Sequence, residues 1–194
     1  LRWFQSAFAG TDDKVFDRLR ANGVTVTSAA GAAAPSIAQT VLMYLLALSR
    51  QLPRLSRSQA QRKWDPVTST DLDGLRVGIV GMGAIGAAVA HRAEAFGTEI
   101  KWYGPRAKPD VKFAYEPDLL KLSDWADVLI VCARGDKTTE KIINADIIRV
   151  LGSDGTLING SWVKHACRHI AGQRLRHPGQ FVTGAVVEGD QKHH

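Results

Sequence analysis

Six consecutive residues, Gly81-Met82-Gly83-Ala84-Ile85-Gly86, have a spacing with a known chemical use. In a G-x-G-x-x-G run the first glycine allows a tight turn off a strand. The second lets the backbone approach a pyrophosphate, and the third lets a helix pack closely on that strand. The anion then lies at the helix N-terminus, where free N–H groups and the helix dipole attract negative charge. Alone the run is a weak signal, and a glycine-rich structural turn is the alternative. Here Val77-Gly78-Ile79-Val80 reads as an apolar strand before it, and the stretch from Ile85 to Phe96, closing on Gly97, reads as a helix after it. That context predicts dinucleotide binding.

The next strand predicts which dinucleotide. In such folds it normally ends in an acid that bonds the ribose 2′-hydroxyl of NAD. Eighteen residues after Gly86 the chain instead has Gly104, within Trp102-Tyr103-Gly104-Pro105-Arg106. No carboxylate stands there to repel a 2′-phosphate, and Arg106 and Lys108 are close enough in sequence to bind one. A charge-assisted hydrogen bond is worth about 1.5–3 kcal/mol, one to two decades of preference. NADP is therefore expected, with NAD as the second choice; a solvated loop charge is the other reading of Arg106.

A second group of reactive side chains lies near the end. His165, Cys167 and His169 could ligate zinc, but no second ligand pair with an established spacing accompanies them, so no metal site is expected. The formal net charge is +6, and three of those excess charges fall after residue 160, where Lys164, Arg168, Arg174, Arg176 and Lys192 face only Glu188 and Asp190. The segment lacks a nucleic-acid-binding motif and interleaved aromatics, so no nucleic-acid partner is expected.

The elements that must position these residues alternate. Leu1 to Gln5 reads as a strand. A short helix follows from Asp12-Asp13, with Val15, Phe16 and Leu19 as its buried stripe, and Val24 to Thr27 is a second strand. Pro35-Ser36 opens a helix apolar over more than one stripe, which suggests burial between domains or subunits. Gln51 to Asp71 reads as a polar connector carrying a helical piece. From Arg76 strand and helix alternate: further strands at Glu99 to Tyr103, Ala126 to Cys132 and Thr156 to Ile158, and a helix from Ala145 to Leu151 capped by Asn144. Phe181 to Val187 is a last strand. The pattern predicts an α/β chain with a Rossmann-type doubly wound parallel sheet.

These residues resemble the D-isomer-specific 2-hydroxyacid dehydrogenases. The run from Leu72 to Gly86 is similar to that family's signature, as are Trp125 to Leu129, Thr138 to Asn144 and Gly155 to Asn159. Residues 1 to 12 are similar to its substrate-domain loop, and Ser36-Ile37-Ala38-Gln39 to a helix start that usually has Glu. Gly104 with Arg106 beyond it is most similar to the glyoxylate/hydroxypyruvate reductase branch. The resemblance implies a partial flavodoxin-like substrate domain with a connecting helix over residues 1–70. Residues 71–194 are then a dinucleotide-binding domain with an atypical tail from about residue 160.

It also implies site residues. Coenzyme contacts carry over to Gly81, Met82, Gly83, Ala84, Ile85, Gly86, Gly104, Pro105 and Arg106. They extend to Cys132, Ala133, Arg134 (where the family commonly has Pro), Thr139, Asn159, Gly160 and Ser161, with Glu188 at the place of a family Asp. Ala7, Phe8, Ala9 and Gly10 match the loop whose N–H groups bind the substrate carboxylate, while Arg57, Gln59, Gln61 and Trp64 form either an active-site rim or a solvated linker. The family reduces 2-keto acids with a nicotinamide hydride, using Arg and a His–Glu pair. No catalytic residue matches: Trp162 stands at the Arg position, and an indole cannot form a bidentate fork to a carboxylate. The Glu and His positions fall beyond His194, so the chain is expected to be incomplete, frame-damaged or degenerate.

The expectation is an NAD(P)-dependent oxidoreductase acting on a small 2-keto acid such as glyoxylate or hydroxypyruvate. A non-catalytic NAD(P)-binding sensing or interaction module on the same fold is the alternative. Two cysteines, Cys132 and Cys167, and no recognisable leader suggest a cytoplasmic protein. The longest apolar stretch, Val41 to Leu48, is too short for a bilayer, and the family implies a homodimer.

Overall fold

A computed structural model describes residues 1–7, 9–11, 13–135, 138–160 and 180–183, the last group by backbone alone. The larger body is a six-stranded, all-parallel sheet in the order β5-β4-β3-β6-β7-β8. Its strands are β3 (Arg76–Val80), β4 (Glu99–Tyr103), β5 (Ala114–Tyr115), β6 (Val128–Val131), β7 (Thr156–Asn159) and β8 (Gln180–Thr183). The chain builds outward from β3 through β4 to β5, then crosses back to lay β6 on the other side of β3. That reversal opens a crevice at the carboxyl ends of β3 and β6, where such sheets bind ligands.

Both faces of the sheet are covered, which explains why β3 and β6 are almost continuously apolar. On one face Val77, Ile79, Val128, Ile130 and Ile158 pack with α2 (Ala34–Ser49) and α4 (Ala84–Glu94). On the other, Val80, Leu129, Val131 and Leu157 pack with α5 (Leu119–Trp125) and α6 (Ala145–Leu151). Gly78 permits the closeness of α5, because a Cβ there would come within 3.2 Å of Leu122 Cγ. Trp102 is 1% exposed and donates its indole N–H to the Phe113 carbonyl at 3.1 Å. Burying a side chain of that size favours folding by about 1.5–3 kcal/mol.

The caps follow local chemistry. Asn144 Oδ1 accepts from the N–H groups of Asp146 and Ile147 at 3.0 and 3.1 Å, and Gly152 closes α6 with φ +80°. The expected boundaries of α6 match the structure. The short β5 and α5 have no counterpart in the sequence reading. Asp118 caps α5 by accepting from Leu120 N at 2.9 Å, but two- and seven-residue elements carry too little periodicity to stand out.

The smaller body is a two-stranded parallel sheet of β1 (Trp3–Ser6) and β2 (Thr25–Ser28), with α1 (Lys14–Ala21) between them. Here one expectation fails. α1 has no buried residue, and Val15 is 51% exposed. A two-stranded sheet is too narrow to cover a helix face, so Phe16 is only half-buried, with its ring centroid 6.0 Å from that of Phe4. α2 is buried as expected, but through Ala38, Val41, Leu42 and Leu45 against the large sheet's own core. α3 (Leu52–Ala60) completes the connector. No helix among the described residues is long and apolar enough to cross a membrane.

Candidate coenzyme site

The glycine run leaves β3 and enters α4, and two of its glycines are required by the protein's own packing. Gly81 has φ +96°, and a Cβ there would lie 2.6 Å from Ala133 Cα. Its N–H donates to the Tyr103 carbonyl at 2.8 Å, tying the turn to the end of β4. A Cβ on Gly86 would lie 2.1 Å from the Gly81 carbonyl oxygen.

Gly83 is different. Its backbone is extended, and a Cβ there would meet nothing within 4 Å. No packing within the described residues demands glycine at that position, whereas a ligand approaching the backbone would. Gly83 is also the N-cap of α4, and among the described residues no side chain caps the helix. The first helical bond is from Ala87 N to the Gly83 carbonyl, at 2.9 Å. The N–H groups of Gly83, Ala84, Ile85 and Gly86 therefore have no partner among the described residues and are free to hold an anion. The loop fits a pyrophosphate.

At the end of β4, Gly104 is buried beneath its neighbours. Its carbonyl accepts from the Tyr115 hydroxyl at 2.8 Å, and a Cβ would stand 3.0 Å from the Trp102 ring. Pro105 and Arg106 follow, both exposed. Lys108 comes back over the glycine run, and its Nζ donates to the Met82 carbonyl at 2.6 Å. Sequence reasoning grouped Lys108 with Arg106 as a possible phosphate contact and missed this bond.

The β6 exit borders the crevice. Cys132 is buried, and burial pushes its thiol up to about 12, so it stays protonated and unreactive. Ala133 presents backbone to Gly81. The Thr139 hydroxyl donates to the Arg134 carbonyl at 2.5 Å, closing the loop after β6. At the end of β7, Asn159 is buried, and Gly160 donates its N–H to the Val131 carbonyl at 2.9 Å. A Cβ on Gly160 would meet Val41 of α2 at 2.7 Å.

The structure thus gathers Gly81 to Gly86, Gly104 to Arg106, Cys132 to Arg134, Thr139, Asn159 and Gly160 around the carboxyl ends of four adjacent strands, β4, β3, β6 and β7. Ala7, Ala9 and Gly10 are exposed after β1. Because β1 and β2 are parallel, these residues leave the small sheet at the same end as the loop after β2. Gly31 of that loop reaches α4, with an added Cβ 3.6 Å from that of Ala84. Phe8, Ser161, Trp162, Glu188 and the His165, Cys167 and His169 group lie outside the described residues. Among the described residues no three His, Cys, Asp or Glu side chains cluster to hold a metal.

Charged pairs elsewhere are structural. Arg76, at the start of β3, grips Asp127 through Nε at 3.1 Å and Nη2 at 2.6 Å, at the opposite end of the sheet from the crevice. That guanidinium lowers the Asp127 carboxyl from its usual range. Arg54 forms a similar fork to Asp65, which also accepts from the Ser58 hydroxyl at 3.0 Å. Those bonds hold Asp65 at about 2.

Comparison with known proteins agrees with this geometry. Residues 42–164 match the family profile described as D-isomer specific 2-hydroxyacid dehydrogenase, NAD binding domain. A glyoxylate/hydroxypyruvate reductase A of Arabidopsis thaliana is 33% identical over 158 residues, covering 79% of this chain and 50% of that protein. A 2-ketogluconate reductase of Gluconobacter oxydans is 31% identical over 153 residues, 77% of this chain and 49% of that one. Among solved structures, an NADPH-dependent glyoxylate/hydroxypyruvate reductase of Sinorhizobium meliloti, in complex with NADP and malonate, superposes with a TM-score of 0.72. It is 33% identical, and the match covers 82% of this chain and 51% of that one. The chain spans about half the length of the curated relatives it matches. It belongs to the D-isomer specific 2-hydroxyacid dehydrogenases, and residues 42–164 correspond to their NAD binding domain.

Proposed function

We propose that this chain is the coenzyme-binding part of an NADP-preferring reductase acting on a small 2-keto acid such as glyoxylate or hydroxypyruvate. One observation carries the reading. The N–H groups from Gly83 to Gly86 have no partner among the described residues, a Cβ on Gly83 would meet nothing within 4 Å, and the neighbouring strand end has Gly104 in place of an acid with Arg106 exposed. The backbone donors suit the pyrophosphate, and the guanidinium suits a 2′-phosphate. A reductase bound to NADP among the similar structures supports the same preference. The nicotinamide supplies the hydride when bound. This chain's residues orient it: the backbone of Ala133 and Gly160 walls the crevice, and the exposed Ala7, Ala9 and Gly10 offer N–H groups to a carboxylate.

The division of the chain is proposed at about residue 70, with residues 1–70 as part of a substrate domain and its connecting helix. α2 of that segment is shared with the coenzyme core. A homodimer is proposed through the apolar groove of about 860 Å³ between α2 and α4, which includes Met43, Leu52 and Phe96. The cytoplasm is the proposed setting. Because Trp162 stands at the position of the family's Arg, the chain alone is proposed to bind coenzyme without rapid turnover.

Titration with NADPH and NADH, followed by nicotinamide fluorescence, tests the reading. Tight NADPH binding with NADH at least about tenfold weaker is expected from one charge-assisted contact. Absence of binding by either coenzyme would refute it.

A further inference from the structure

We infer that Lys108 is a positioning residue for the glycine loop, bracing it for either coenzyme, and that Arg106 alone selects the 2′-phosphate. The inference rests on the dinucleotide reading above. Both ends of the loop are anchored: Gly81 donates to the Tyr103 carbonyl, and Gly86 opens into α4 against the Gly81 carbonyl. Its middle is the Met82–Gly83 peptide. The Met82 side chain is buried, so that residue is fixed on the core side. On the other side its carbonyl accepts from Lys108 Nζ at 2.6 Å.

A trans peptide is planar, and its N–H points opposite to its carbonyl. Holding the Met82 carbonyl therefore sets the direction of the Gly83 N–H, the first of the four free donors. Lys108 is itself held. Pro109 restricts the lysine backbone to extended conformations, and Val111 N donates back to the Lys108 carbonyl at 3.2 Å. Arg106, two residues earlier, has no such bond among the described residues and stays exposed. One cation is committed to the loop, and the other is available to a ligand.

The test compares dissociation constants of NADPH and NADH for the wild-type chain, Lys108→Met, Lys108→Arg and Arg106→Met. Lys108→Met is expected to weaken both coenzymes by the same factor, about tenfold for one charged hydrogen bond. Lys108→Arg should restore most of the loss, and Arg106→Met should weaken NADPH alone. Loss of NADPH affinity alone in Lys108→Met would overturn the inference and make the lysine a phosphate contact. Amide exchange in the ligand-free chain provides a second reading. The Gly81 and Ala87 N–H groups, whose bonds flank the loop, should exchange faster in Lys108→Met, and unchanged rates overturn the brace. If the wild-type chain binds neither coenzyme, the dinucleotide reading fails, and the exchange rates alone decide the role of Lys108.

Discussion

The backbone of Gly81 lies directly against that of Ala133, so that a Cβ at residue 81 would stand 2.6 Å from Ala133 Cα and 2.7 Å from its nitrogen. The turn out of β3 and the exit from β6 are therefore one packed unit. The coenzyme crevice has a rigid floor made of two backbones from strands 48 or more residues apart in sequence. Gly81 also sits at φ +96°, which side chains rarely tolerate.

Gly81→Ala is therefore expected to destabilise the fold by at least about 2 kcal/mol, combining backbone strain with displacement of the β6 exit. Thermal unfolding should show a drop of about 5 °C or more. An unchanged melting temperature would mean that the two backbones do not press on each other.

Gly83→Ala should separate binding from folding. A Cβ there enters open space, so stability is expected to stay within about 0.5 kcal/mol of wild type. Coenzyme affinity should fall on the order of tenfold or more, equally for NADPH and NADH. The added methyl would hold the pyrophosphate away from N–H groups whose bonds to a charged acceptor contribute about 1.5–3 kcal/mol each. Calorimetric titration beside a melting curve checks both halves.

Arg106→Ala is expected to weaken NADPH about tenfold and leave NADH unchanged, because only NADPH has a 2′-phosphate for the guanidinium. Raising the ionic strength should mimic part of the effect in the wild-type chain, since Arg106 is exposed and its attraction is screened. Equal loss of both coenzymes would show that the arginine reads something common to them.

The Arg54–Asp65 fork gives a pH dependence with a defined sign. The Asp65 carboxyl is held at about 2, below its ordinary value. Its contribution to stability is fully present above about pH 4, the unfolded value, and is lost as pH falls toward 2. Asp65→Asn should unfold at lower urea than wild type at neutral pH. The gap between the two should close between about pH 4 and 2, and a gap independent of pH would argue against the ion pair.

How much of this was legible in the residues depends on how local the physics is. The strand, glycine turn and helix from Arg76 to Glu94 are contiguous, and each glycine's task is set by its immediate neighbours, so the run announces itself. The Asn144 cap and Gly152 stop of α6 are local for the same reason. The exposure of α1 is not legible there, because amphipathic spacing says which face is apolar, not whether a neighbour is wide enough to cover it. Two-stranded pairing leaves Val15 in water.

The parallel α/β sheet, the glycine turn between strand and helix and the absence of an acid at Gly104 are all legible along the chain, because periodicity, glycine and charge are properties of short windows. Folding in three dimensions settles that α2 joins the core of the large sheet and that Gly81 needs glycine because of Ala133. It likewise settles that Lys108, 26 residues from Met82, donates to the Met82 carbonyl. Those contacts exist because the sheet places β4 and β6 on either side of β3. No spacing rule along the chain encodes which strand ends become neighbours.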